Sequence, residues 1–107
     1  MKELKFKKAL SELILKGGKN NTWRFFDDKD ISVGDEISFL VSETKKEFAK
    51  AEVIFVKEKI LGNLNEEDLK GHEKYESKEE MYKTYSQYYN KKINEDSIVK
   101  IIKFKLI

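Results

Sequence analysis

Three strand-like segments follow one another with no helix between them, and this order limits the chain to a few architectures. Residues 22–26 (TWRFF) are rich in β-formers. A polar loop, DDKDIS, and a tight turn at Val33-Gly34-Asp35 lead into a second strand over 36–42. The hairpin connection SETKKE then leads into a third over 48–58. Residues 3–7 (ELKFK) form a short strand ahead of this block, and 8–16 carry Ala9, Leu10, Leu13 and Ile14 at the spacing of an amphipathic helix. Behind it, Asn65 can cap a short helix, with Glu66, Glu67 and Asp68 in its first turn and Gly71 at its end. Ser77 and Glu80 match the S-x-x-E capping box of a longer helix running to about residue 90. SIVKIIKFKLI closes the chain as a strand. The order β-α-β-β-β-α-α-β has too few strand–helix–strand crossovers for a doubly wound parallel sheet. It predicts an α+β fold, a small curved or barrel-like mixed sheet with flanking helices.

A chain of 107 residues fits a single domain over 1–107 and can bury one core without staples. It has no cysteine, which excludes disulfides, thiolate metal sites and cysteine nucleophiles. No charge-free apolar run approaches the roughly 18 residues of a membrane span or marks a signal peptide, so a cytoplasmic protein is expected. Charge is abundant but balanced, with 22 basic residues against 20 acidic ones. A non-specific nucleic-acid binder carries a stronger basic excess. Any contact with nucleic acid must therefore use a local patch or a shaped pocket.

The segment from Ile14 to Arg24 is the most informative for function. A helix ends at Gly17 and Gly18, and Lys19, Thr22 and Arg24 follow within six residues. In a strand over 22–26, Thr22, Arg24 and Phe26 share one face, with Trp23 and Phe25 on the other. The segment can gather a cation, a hydroxyl and a guanidinium around a small cleft whose glycines admit a ligand close to the backbone. The plainer reading makes the glycines a helix cap, Lys19 a partner of the helix dipole and Arg24 half of a surface ion pair.

The pattern G-x-K-x-x-x-x-R, present as Gly17, Lys19 and Arg24, resembles the signature of ASCH domains, a PUA-like group. The resemblance extends through Val33-Gly34-Asp35-Glu36, the helical region from Glu66 to Tyr89 and the last strand, so that it covers essentially the whole chain. It implies a PUA-like β-barrel with a cleft beside the signature, formed by Gly17, Lys19, Thr22, Trp23 and Arg24, and an RNA or modified-nucleoside ligand. It also implies a second activity. One group of small single-domain ASCH proteins hydrolyses acetylcytidine with a lysine, a threonine and a glutamate. These fall on Lys19, Thr22 and, with one loop residue inserted, Glu73; His72 and Glu76 are the competing neighbours. The chain departs from many members at Asn20, where they carry threonine.

The chemistry of such a site is coherent. Hydrolysis of an exocyclic acetamide needs a nucleophile, a base and a stabilised oxyanion. Thr22 is the candidate nucleophile, Lys19 the candidate base if burial and Arg24 depress its pKa, and Glu73 the group that orients or shuttles a proton. A lone histidine makes no metal cluster, and no cofactor is called for. His72 is expected at a helix C-terminus interacting with the last carbonyls, with a place in the cleft as the alternative. Met81, Tyr82, Tyr85, Tyr88 and Tyr89 form a helical stripe that should pack on the sheet. Trp23 is either core or a stacking surface for a base. Lys100, Lys103 and Lys105 either meet phosphates or guard an edge strand. An RNA- or nucleotide-binding module is the expected function, ahead of a nucleoside amidohydrolase, a ribonuclease or a plain interaction protein.

Overall fold

The computed structural model describes residues 2–26 and 29–107. Strand β1 (Lys2–Phe6) is followed by helix α1 (Lys8–Leu15), β2 (Asn21–Arg24), β3 (Glu36–Val41) and the long β4 (Glu47–Ile60). A 3-10 turn at Leu61–Asn63, the single turn α2 (Glu66–Leu69) and helix α3 (Lys78–Tyr89) lead to β5 (Ile98–Leu106). The element order is the one the sequence predicts. Asp27 and Asp28, at the head of the polar loop, lie outside the described residues.

The five strands form one mixed sheet in the order β1-β3-β4-β5-β2. β1 runs parallel to β3, and every other neighbour is antiparallel. The sheet curls into a half-barrel. Register shifts at Phe39/Leu40 and Val53/Phe55 interrupt the ladders on both sides of β4, and an extra residue of this kind bends a strand and increases its twist. The curl leaves β1 and β2 as the two edges of an open seam.

Two cores form on opposite faces, and β5 separates them. Ile102 belongs with Leu4, Phe6, Phe39, Val53 and Phe104. Its neighbour Ile101 belongs with Trp23, Phe25, Tyr85, Ile93 and Val99. Consecutive strand residues point to opposite faces, so each side of β5 supplies one core. Helix α1 closes the first through Leu10 and Ile14, and α3 closes the second through Met81, Tyr82, Tyr85 and Tyr89.

Three local expectations change. β2 ends at Arg24, because Phe26 takes a left-handed φ of 55° and turns its half-exposed ring toward Lys91. Phe26 therefore does not extend the Thr22–Arg24 face. β5 lies between β4 and β2 and is not an edge, so its lysines do not guard one. Lys103 instead donates to the Glu67 carbonyl at 2.9 Å, and Lys105 stands 3.7 Å from Glu52. Finally, Tyr88 leaves the packed stripe and is exposed. Among the described residues no helix is long and apolar enough to cross a membrane.

Candidate functional site

The end of α1 sets the first wall of the site. The Gly18 N–H donates to the Leu13 carbonyl and the Gly17 N–H to Ile14, which is the paired closure of a Schellman cap. Gly17 carries a φ of 82°. The cap turns the chain sharply, and the next residue, Lys19, is directed inward and left only 2 % exposed. Its ammonium donates to the Asn21 carbonyl at 2.8 Å and to the Glu73 carboxylate.

The second wall is the loop between α2 and α3. Asn65 caps α2 through a reciprocal box with Asp68, and Lys59 pairs with the same aspartate. The loop is then tied to β2: the Asn21 side chain donates to the Asp68 and Lys70 carbonyls at 2.7 and 3.1 Å, and the Asn20 N–H donates to Gly71 at 3.0 Å. Gly71 is required here. Its φ is 81°, and a Cβ at this position would lie 1.8 Å from the Asn20 amide oxygen.

His72 stands where the two walls meet. Its ring stacks on Trp23 with centroids 3.7 Å apart and planes 16° from parallel. Nδ1 lies 2.8 Å from the Glu73 carbonyl oxygen and 3.1 Å from its carboxylate, and Nε2 lies 3.2 Å from the Tyr85 hydroxyl. A carbonyl oxygen can only accept, so Nδ1 carries the proton and Nε2 accepts from Tyr85. Burial above all, with Lys19 beside it, depresses the imidazole from 6.5 to about 4, and the ring is neutral at pH 7. Burial raises the Tyr85 hydroxyl well above 10, so Tyr85 keeps the proton it donates. The His72 ring thus lines the cleft, and only its backbone N–H satisfies a carbonyl of α2, that of Leu69.

The ion pair shifts both of its members. Burial lowers the Lys19 ammonium; Glu73 opposes the shift and Arg24 adds to it. Burial works to raise the Glu73 carboxyl, but His72 and Lys19 outweigh it and hold the group below its ordinary value. Lys19, Thr22, Trp23, Arg24, His72 and Glu73 all line one cleft of about 520 Å³, with Tyr75, Tyr85, Tyr88 and Tyr89 on its α3 side.

Lys19, Thr22, Trp23, Arg24 and Glu73 of the anticipated set are therefore brought together. Gly17 does not line the cleft; it ends the helix. Glu76 lines a separate cavity behind the loop. Trp23 is 3 % exposed and belongs to the core, with His72 on its face, so no face is open for a base at that stack. Sequence reasoning missed Asn21, fully buried and holding the loop, because one asparagine beside a strand carries no periodic signal. It also placed Tyr85 in the core stripe without its bond to His72.

The open, curled five-stranded mixed sheet with its flanking helices matches the fold of solved ASCH domains. The chain is similar to protein EF3133 from Enterococcus faecalis V583, described by the family model DUF984, with a TM-score of 0.77 and 15% identity over 92% of this chain and 70% of that one. An ASCH domain from Lactobacillus crispatus JV V101 matches with a TM-score of 0.71 and 13% identity over 98% and 79% of the two chains. The hypothetical protein PH0355 aligns over 100% of both chains with a TM-score of 0.74 and 28% identity. No family model matches the sequence, and no curated protein does. At the level of the fold, the resemblance seen in the sequence is borne out.

Proposed function

We propose that this domain binds a nucleoside or nucleotide unit, free or within RNA, with the base seated in the cleft. The observation that carries this reading is the convergence of Lys19, Thr22, Arg24, His72 and Glu73 on one apolar cavity walled by tyrosines. Ligand sites combine this kind of apolar lining with a few fixed polar groups, in volumes of roughly 300–1,000 Å³. Calorimetric titration with cytidine and acetylcytidine tests the reading. Thr22→Val, which keeps the side-chain shape, should weaken binding by about tenfold if the hydroxyl bonds the ligand. Absence of binding by the wild type would refute it.

A second reading, amide hydrolysis on acetylcytidine, is favoured by the direct contact of Lys19 with Glu73. Proton transfer within that pair turns Lys19 into an amine base and Glu73 into an acid. Thr22 Oγ1 adds to the acetyl carbonyl as Lys19 takes its proton. The C–N bond then breaks as Glu73 protonates the departing exocyclic nitrogen. Water hydrolyses the threonyl ester and releases acetate. Chromatography of the titration mixtures separates the readings: cytidine formed by the wild type and not by Thr22→Val supports catalysis, whereas unchanged acetylcytidine leaves a binding site.

A further inference from the structure

Glu73 has two sides to choose between. It lines the cleft and also the cavity of about 420 Å³ behind the loop, where the exposed Lys74 and Lys78 compete for a carboxylate. The residue sits in a loop without repeat geometry, so no periodicity makes that choice. Two contacts hold its carboxylate on the cleft side, the Lys19 ammonium and the His72 Nδ1 at 3.1 Å.

The His72 contact works in one state of the ring only. Nδ1 faces two oxygens of Glu73, the carbonyl at 2.8 Å and the carboxylate at 3.1 Å. An unprotonated Nδ1 would set a lone pair against both oxygens and push the carboxylate away. With the proton on Nδ1, Nε2 is a lone pair in a buried place, and a buried acceptor is costly without a donor. Tyr85 supplies the donor. Its side chain is buried on the inward face of α3, its ring lies 4.9 Å from that of Phe25, and its hydroxyl donates to Nε2 over 3.2 Å.

The stack on Trp23 cannot replace this bond. It sets the plane of the imidazole, with centroids 3.7 Å apart. A half-turn of the ring within that plane keeps the stack and carries Nδ1 away from the loop. Tyr85 separates the two orientations, because only one of them brings Nε2 to its hydroxyl. A chain of contacts thus runs from the second core through Tyr85, His72 and Glu73 to Lys19.

We infer that Tyr85 and His72 are positioning residues for the Lys19–Glu73 pair: Tyr85 fixes which imidazole nitrogen faces the loop, and His72 thereby keeps the Glu73 carboxylate on the cleft side against Lys19. The inference rests on the site proposed above, since the pair matters to a ligand only if it acts on one. It has a consequence for charge. Glu73 opposes the effect of burial on Lys19, so a carboxylate that leaves the contact lets burial lower the ammonium further.

The chain has one histidine, so nitrogen-15 magnetic resonance reads its imidazole without overlap. The wild-type ring should be the neutral Nδ1–H form and titrate at about 4. The groups acting on it are Lys19 and Arg24 from the first wall, Glu73 beside it and Tyr85 from α3. Tyr85→Phe removes one hydroxyl and keeps the ring. The imidazole should then titrate closer to 6.5, because a bond to the neutral form disfavours the charged one. The Lys19 ammonium, followed at its Cε, should titrate lower than in the wild type. If neither titration moves, Tyr85 is a packing residue and the inference is overturned.

His72→Asn approaches the same contact from the other side. Its amide keeps a donor near the place of Nδ1 and gives up the acceptor for Tyr85. Lys19 should titrate as in the wild type, and adding Tyr85→Phe should move it no further; a further shift would mean that Tyr85 acts by another route. With acetylcytidine, Tyr85→Phe should lower kcat by up to about a hundredfold and leave KM unchanged. If the wild type binds cytidine without hydrolysing the acetylated form, the variant should bind about tenfold more weakly. Wild-type kcat or affinity in the variant overturns the inference. A wild type that neither binds nor hydrolyses removes the proposed function, and the titrations of His72 and Lys19 still decide the positioning.

Discussion

The two walls of the cleft are built on different principles. Residues 17–24 are a helix end running into an edge strand, and repeat geometry fixes each side chain: the Schellman cap aims Lys19 inward, and strand alternation separates Thr22 from Trp23. Residues 70–77 have no repeat of their own. Their order is imposed from the first wall, by Asn20 and Asn21 on the loop backbone, Lys19 on the Glu73 carboxylate and Trp23 on the His72 ring. A regular element can thus act as the template for an irregular one, and damage to the template should cost more than damage to either wall's own local geometry.

The sharpest break is Trp23→Ala. It opens a cavity in the second core and removes the surface on which His72 rests. A loss of about 3–5 kcal/mol is expected for a buried tryptophan, read from the midpoint of urea unfolding. A loss below about 1 kcal/mol would mean that the loop does not lean on this stack.

Acid should attack the same contact from the other wall. The His72 imidazole titrates near 4 in the folded chain against 6.5 as its ordinary value. The unfolded chain therefore binds the extra proton first. The contribution from His72 is fully present above about pH 6.5, falls as pH drops toward 4, and is constant below that. At 1.36 kcal/mol per unit the shift corresponds to about 3 kcal/mol. Chemical denaturation across this window should show stability rising with pH, and His72→Gln should flatten that slope. An equally steep slope in the variant would assign the effect to other groups.

Asn21→Leu should cut the loop from its template with less harm to the core. It removes the donors to the Asp68 and Lys70 carbonyls. It also removes a buried amide oxygen that has no partner, which offsets part of the loss. About 2 kcal/mol is expected, together with faster amide exchange over residues 70–76 than in β4. Uniform exchange changes across the sheet would show that Asn21 supports the whole fold and not the loop alone.

The same contrast explains what could be read in the sequence. The first wall was legible because helix periodicity, a glycine pair and strand alternation are local signals, and the caps at Asn65 and Ser77 lie where their residues predict. The second wall was not. Lys19 and Glu73 meet across 54 positions, and no periodicity sets the register of the intervening loop. Spacing alone left His72, Glu73 and Glu76 in competition. The structure admits the first two to the cleft and sends Glu76 behind the loop. The C-terminal lysines were ambiguous for a related reason, since strand order in a sheet is set by long-range pairing that alternation within one strand does not encode.

The mildest test leaves the second wall alone and strains only the cap of the first. Gly17 has a left-handed φ, and no atom lies within 4 Å of where its Cβ would stand. Gly17→Ala therefore adds no collision, only the backbone cost of an L-residue in that conformation, about 1–2 kcal/mol. If the cap merely ends α1, the variant loses that stability and keeps its ligand affinity at temperatures where it remains folded. If the cap is what aims Lys19, the strain reaches the ion pair with Glu73, and affinity for cytidine falls together with stability. Thermal unfolding and titration of this one variant separate a local stop signal from the device that builds the cleft.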